Sequence, residues 1–292
     1  MAERNAKLIL MVGVLGVSAS AILVRFSQAP SGVTAAYRLG WTVLLLLPVV
    51  LLRCRAELRR VTARDLVLCG ASGVLLALHF LTWFESLKRT SVASSTVLVS
   101  TEVIFTALGF ALFLHGKIPR LGVWAILLAF GGSALLALSG GGGAGGLSGN
   151  LLALAAASAA AVYTLIGRIQ RGHLSTTVYT FLTYLACFLT LLLGTAAAGT
   201  PLTGYGGREW LIGLALAVLC TLLGHSLFSW CLKYLSPSYV SAAKLCEPVF
   251  SSLAAIPLFG EVPGPLQLAG GVAVLGAVLL YTWAEREKTP AG

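Results

Sequence analysis

A chain of 292 residues with only 10% charged and 58% hydrophobic side chains cannot clothe a water-soluble surface, which needs about a quarter of its residues charged. A lipid bilayer is the solvent that suits a mean hydropathy of +0.92. The net charge of +10 would suggest nucleic acid in a soluble domain, but here the basic residues gather at the ends of apolar runs, which leaves nucleic acid no role.

Ten apolar runs approach the ~20 residues that cross the hydrocarbon core as a helix. In chain order they are 7–25, 32–52, 65–87, 91–114, 120–139, 148–167, 176–199, 208–232, 237–259 and 264–284. The chain is predicted to be an all-α integral membrane protein with ten transmembrane helices. Arg4 and Lys7 imitate the charged start of a signal peptide, but nine further spans and no soluble domain to export argue against cleavage. Pro and Gly punctuate the connections at Ala29-Pro30-Ser31-Gly32, Gly116-Lys117-Ile118-Pro119, Ser236-Pro237-Ser238 and Val262-Pro263-Gly264-Pro265.

Loop charge predicts the orientation. With the N-terminus in the cytoplasm, the inner loops hold fourteen basic residues: Arg4, Lys7, Arg53, Arg55, Arg59, Arg60, Arg64, Lys117, Arg120, Arg168, Arg171, Lys233, Arg286 and Lys288. The outer loops hold four, Arg25, Lys88, Arg89 and Arg208, and both termini are expected in the cytoplasm. The run GGGGAGG at 140–146 lies between the fifth and sixth spans. It predicts two five-helix halves, 1–140 and 147–292, joined by a Gly-rich linker at 141–146. An odd number of spans per half makes the second half an inverted copy, a plan that places a site at the midplane between repeats.

The copy is visible in the residues. SVASSTVLVSTEVIFTALGFALFL (91–114) and SPSYVSAAKLCEPVFSSLAAIPLF (236–259) share Ser91/Ser236, Glu102/Glu247, Phe105/Phe250 and Leu108/Leu253 at one constant offset. Leu87-Lys88 and Leu232-Lys233 keep that offset, and His79 and His225 fall one residue from it. An ionisable side chain within a span costs ~2.5–3.5 kcal/mol or more at the helix centre, so a carboxylate repeated in both halves marks a site. Glu102 reads either as a proton- or cation-binding carboxylate or as a neutral acid bonded to a neighbouring hydroxyl. Ser95 and Thr106 would share its helix face. Lys244 and Glu247, three residues apart, can pair directly, Pro248 can kink the helix there, and Ser241 and Ser251 share that face. Arg38 either snorkels or clasps a substrate carboxylate with its planar fork. His79 and His225 are either helix-packing polar groups or site residues. Tyr163 is a candidate for the cavity wall, and Trp83 and Trp230, near span ends, read as interfacial anchors. Gly131-Gly132, Gly270-Gly271 and the alanines of LLALAAASAAAV (151–162) are read as close helix contacts. If Lys244 neutralises Glu247, nothing equivalent neutralises Glu102, because Val99 occupies the matching place; Glu102 is then the residue expected to carry a proton.

These words resemble the EamA-like branch of the drug/metabolite transporter superfamily. The resemblance is carried by VRFSQAPSGVTAAYRLGW (24–41), HFLTWFESLKRTSVASSTVLVS (79–100), GHSLFSWCLKYLSPSYVSAAKLCEPVF (224–250) and FGEVPGPLQLAGGVAVLGAVLL (259–280). It implies export or exchange of amino acids, drug-like compounds or other metabolites through a cavity bordered by the third, fourth, eighth and ninth spans. Two positions depart from the family. Lys117 stands where the second half has the family-typical Glu261, and Thr101-Glu102-Val103 replaces a word that usually includes a proline.

A secondary transporter of a small organic metabolite is therefore expected, working by alternating access, with efflux favoured and proton coupling proposed. An uncoupled facilitator or exchanger, and a receptor or scaffold, are the alternatives. No HExxH, GxSxG or paired aspartates suggest an enzyme. No cofactor or metal is expected, and the six cysteines read as free thiols in apolar surroundings. The expected setting is the bacterial cytoplasmic membrane, with the solute and the lipid bilayer as partners and a monomer or homodimer as the assembly.

Overall fold

The computed structural model describes residues 2–113, 118–138, 146–231, 234, 244 and 246–286. Among these there is no strand, and thirteen α-helices and one π-helical stretch account for the fold. They are α1 (Ala2–Phe26), α2 (Ser31–Arg53), the single turn α3 (Arg55–Leu58), α4 (Ala63–Arg89), α5 (Val92–Val99), α6 (Glu102–Phe113), α7 (Arg120–Leu138), α8 (Gly146–Gln170), α9 (Thr176–Ala197) and α10 (Gly207–Ala215). The π stretch Leu216–His225 follows, then α11 (Ser226–Cys231), α12 (Cys246–Phe259) and α13 (Pro265–Arg286). Of the linker expected at 141–146, only Gly146 lies within the described residues, and it begins α8.

Among the described residues seven helical stretches are long and apolar enough to cross a membrane: Asn5–Phe26, Ser31–Arg53, Ala63–Arg89, Val92–Gly109, Gly146–Gln170, Thr176–Ala197 and Gly207–Cys231. Arg120–Leu136, Cys246–Phe259 and Pro265–Tyr281 are apolar and shorter. The surface is inverted relative to a water-soluble protein. Leu52, Leu193 and Val272 are 84%, 72% and 70% exposed, whereas Arg38, Ser72, Ser86, Thr183 and Thr221 are fully buried. Exposed leucines beside buried hydroxyls and a buried guanidinium describe a molecule whose outer solvent is hydrocarbon and whose polar groups face inward.

Local chemistry sets the helix ends. Thr62 and Asp65 form a reciprocal capping box at the start of α4, with Asp65 Oδ2 accepting from Thr62 N at 3.0 Å and Thr62 Oγ1 from Asp65 N at 3.2 Å. Ser91 caps α5 and Ser175 caps α9 in the same sense. All six cysteines are free thiols.

The fourth apolar run, expected as one helix, is broken. Ser100 and Thr101 separate α5 from α6 without a proline. Ser100 Oγ donates to the Thr96 carbonyl at 2.9 Å and Thr101 Oγ1 to the Leu98 carbonyl at 2.6 Å. The same carbonyls accept backbone amides, Thr96 O from Ser100 N at 3.3 Å and Leu98 O from Thr101 N at 3.1 Å, so the two hydroxyls add a second bond to each at the break. The eighth run departs too, widening into the ten-residue π stretch that ends at His225. Wide turns of this kind concentrate at functional sites.

The packing respects an exchange of two halves. α4 lies on α8, and the Gly207–Cys231 region lies on α1. α6 packs on α8 and α12 on α1, while α2 packs on α9 and α7 on α13. Small residues permit the closest of these approaches. A Cβ on Gly132 would lie 2.9 Å from the Gly270 carbonyl oxygen and from Ala273 Cβ, which fixes the α7–α13 contact. Ala153, Ala156, Ala157, Ala160 and Ala161 are all buried in α8, as the packing reading of 151–162 expected.

Candidate functional site

Glu102 opens α6 because the chain breaks just before it. Its carboxylate therefore sits at the positive end of a helix dipole, where negative charge is favoured. Thr164 of α8 donates a hydrogen bond to Glu102 Oε1 at 2.8 Å, and Lys244 Nζ lies 3.8 Å from Glu102 Oε2. The lysine thus bridges to the carboxylate of the other half. The expected Lys244–Glu247 pair is not the one formed, and the expectation that nothing neutralises Glu102 is overturned with it. The reason is geometric. The break turns the Glu102 carboxylate to where the lysine reaches it, and Lys244 Nζ also rests 5.3 Å from the Phe228 ring centre. Among the described residues, Glu247 has no ion pair within 4 Å.

Glu102, Lys244 and Glu247 line one cavity of about 60 Å³. Ser20 and Val17 of α1, His79 and Trp83 of α4, Val99, Ser100 and Val103 of the broken segment, and His225 and Phe228 complete the wall. Room for a few water molecules is well short of the ~300–1,000 Å³ that holds a drug-sized ligand, so this conformation is contracted around its own charges.

Arg38 stands one layer behind that wall, fully buried, so snorkelling is overturned. Its Nε donates to Thr221 Oγ1 at 2.8 Å and its Nη1 to Ser20 Oγ at 3.2 Å, and its guanidinium lies 4.3 Å from the Phe80 ring centre. Among the described residues Nη2 has no hydrogen-bond partner. Thr221 belongs to the π stretch and Ser20 to the cavity wall, so the arginine joins the widened helix to the site. On the other face of Phe80's surroundings, the His225 ring stands edge-on at 6.0 Å. His79 Nδ1 donates to the Ala156 carbonyl at 3.0 Å, and the ring stacks on Trp83 at 5.8 Å.

The remaining sequence candidates lie away from the cavity wall. Ser95 is buried against Ser86 of α4, with oxygens 2.8 Å apart, because the break takes it off the Glu102 face. Ser251 donates to the Glu247 backbone carbonyl, and Tyr163 packs among the apolar core between α4, α8 and α9. Ser241 lies outside the described residues. Trp83 is the residue the sequence misplaced. Far from anchoring an interface, it is 3% exposed, and its Nε1 is buried without a partner among the described residues. Ser20, Ser100 and Thr164 were missed as well, since single hydroxyls in apolar helices are indistinguishable from packing groups without the fold.

Two polar clusters close the ends of the molecule. At one end Asp65 accepts from Gln170 Nε2 at 3.2 Å and meets His173 Nε2 at 2.5 Å, tying the start of α4 to the end of α8. At the other, Arg25 pairs with Glu261 and donates to the Leu87 carbonyl at 2.6 Å, while Glu261 Oε2 accepts from Val92 N at 2.7 Å.

Half-buried charges facing a cavity between two matched sets of lipid-facing helices define a multi-pass membrane protein of the transporter class. The comparisons narrow it. The family description "EamA-like transporter family" matches twice, over residues 5–138 and 147–283, and the chain belongs to that family. The pseudopaline exporter CntI of Pseudomonas aeruginosa, in strains UCBPP-PA14 and PAO1, is 25% identical over 207 residues, 71% of this chain and 72% of its own. A protein of known crystal structure aligns over 98% of this chain and 99% of its own at 19% identity and a TM-score of 0.62, a likeness of fold alone.

Proposed function

We propose that the chain is a ten-span secondary transporter that exports a small metabolite carrying both a carboxylate and an amino group. The observation that carries this reading is the convergence of Glu102, Lys244 and Glu247, drawn from the two matched halves, on one cavity. Two carboxylates and an ammonium, with a guanidinium behind them, complement a zwitterion. The solute's ammonium takes Glu102 or Glu247, its carboxylate takes Lys244, and Trp83 Nε1 donates to a polar group between them. Arg38 holds Ser20 and Thr221 in place and adds a fixed positive charge.

The three shorter apolar helices complete the ten spans, and halves 1–140 and 147–292 related by an axis in the membrane plane rock against each other to expose the cavity alternately. Loop charge supports cytoplasmic termini in a bacterial cytoplasmic membrane. The name of the exporter relative supports efflux. Proton coupling passes to Glu247, the carboxylate left without a cation once Lys244 turns to Glu102. Protonation of one member of such a set when the solute leaves, and its release when the solute binds, links the two gradients.

Counterflow of labelled amino acids and cell-extract metabolites in liposomes tests the reading. Solute-dependent exchange at equal pH that is lost in Lys244→Met but kept in Glu247→Gln, with pH-driven accumulation lost in Glu247→Gln, at matched protein levels supports it. Unchanged kinetics in both variants refutes the site. If Glu247→Gln and wild type show the same pH dependence, the facilitator reading replaces coupling.

A further inference from the structure

A second cavity, about 450 Å³, is larger than the one between Glu102 and Glu247. It lies at the Arg25 end, between the close of α4, the start of α5, α12 and the Gly260–Pro263 turn. Arg25, Lys88 and Arg89 face it, with Glu261. Arg89 is engaged by Glu85 and Arg25 by Glu261, but Lys88 has no carboxylate within 4 Å among the described residues, and its ammonium donates to the Ala29 carbonyl at 2.5 Å. Its ammonium has three donors, so two remain for a ligand. The local charge is positive, and the space fits a small organic acid.

Position gives the pocket its meaning. Ser91 lines it and Ser100 lines the central cavity, and nine residues of helix and turn at 1.5 Å each separate them by roughly 14 Å. That is about half the hydrocarbon thickness. The two cavities are thus stacked along α5, one at its cap and one at its break.

Glu261 connects the pocket to the moving parts. One of its oxygens holds Arg25 of α1, and the other accepts from the first amide of α5. α5 leads into the break before Glu102, and Glu261 follows α12, which starts beside Glu247. A second carboxylate arriving at Arg25 competes directly with Glu261 for the same guanidinium.

We infer that this pocket is a second binding site for an oxyanion, namely the carboxylate of the transported solute, held by Lys88 and Arg25 after displacement of Glu261. The inference rests on the transport reading above. An exported solute then passes from the central cavity to a waiting pair of cations, and its arrival loosens the tie between α1, α5 and the 260–264 turn.

Succinate is a suitable probe, with tetramethylammonium as the cationic control at equal ionic strength. The purified full chain in neutral detergent is titrated by thermal unfolding. Succinate should stabilise saturably and tetramethylammonium should not. Lys88→Met should raise the succinate midpoint about tenfold, the size of a lost charged hydrogen bond. Glu261→Gln should lower it several-fold, because the competing carboxylate is gone, and Arg120→Gln should leave it unchanged. Equal midpoints in wild type and Lys88→Met, or no gain in Glu261→Gln, overturn the site. A lipid phosphate offers the same chemistry, so the titration is repeated in bilayer discs of phosphatidylcholine with and without phosphatidylglycerol. An unchanged midpoint supports a solute site, and a large rise with the anionic lipid shows that a headgroup occupies it and overturns the solute assignment. Counterflow separates the two readings. A Lys88-dependent succinate shift without exchange sinks transport and keeps the oxyanion site, whereas exchange with a Lys88-independent shift does the reverse.

Discussion

Glu102 and Glu247 occupy matching places in matching segments, yet their surroundings differ. Glu102 begins a helix after a break, accepts from Thr164 and draws Lys244 across from the other half. Glu247 lies in the first turn of α12, before Pro248, with no ion pair among the described residues. The difference teaches that duplication fixes where a side chain stands along the membrane, while the local backbone decides which partner it meets. Two equivalent carboxylates have been made inequivalent by one cation. Under the proposed function, that division gives Glu102 a binding role and Glu247 a coupling role.

The sharpest way to break this comparison is to remove the cation. Lys244→Met should lower the efficiency of exchange roughly a hundredfold, or ~2.7 kcal/mol, by leaving Glu102 without its partner. The double variant Lys244→Met/Glu102→Gln should recover part of that loss, and strictly additive effects in the cycle would show that the two residues do not act together. Next in size, Glu247→Gln should abolish solute accumulation driven by a pH gradient while preserving exchange at equal pH. Glu102→Gln should keep the pH dependence and weaken solute binding. Reversal of these two phenotypes, read from gradient-driven flux, would exchange the roles of the carboxylates. Arg38→Lys loses the fork that reaches both Ser20 and Thr221, and should lower the thermal midpoint by an amount corresponding to about 1–3 kcal/mol. Smallest is Thr101→Val, which leaves the Leu98 carbonyl without its hydroxyl partner, at about 1 kcal/mol. A thermal shift as large as that of Arg38→Lys would mean that the break is held mainly by Thr101.

Much of this was legible in the residues. Hydropathy located the seven stretches that are long and apolar enough to cross a membrane among the described residues, while three of the ten expected runs give shorter apolar helices. The repeated glutamates identified both carboxylates that line the cavity, and the two histidines came with them. Three features escaped for physical reasons. The break at Ser100–Thr101 hides in a hydroxyl-rich stretch that reads as the polar face of a continuous helix, and no proline announces it. The Lys244–Glu102 bridge escaped because an i,i+3 neighbour is visible along the chain and a partner in the other half is not. Trp83 was taken for an interfacial anchor because α4 was expected to end at Leu87, whereas the ring turns inward onto His79.

The buried guanidinium also bears on how the protein is made. Arg38 finds Ser20 only 18 positions earlier, in a helix already synthesised, but Thr221 lies 183 positions later. When α2 first enters the lipid, that threonine has not been translated. A lone arginine near a helix centre opposes insertion by ~2.5–3.5 kcal/mol, and the run LLLLPVVLL that follows in α2 offsets it. The N-terminal half therefore inserts with an Arg38 Nε whose partner, Thr221, only the C-terminal half supplies. Ribosomes stalled before residue 221 should yield a nascent chain that is membrane-embedded yet protease-sensitive, and release of the stall should convert it to the resistant form in one step.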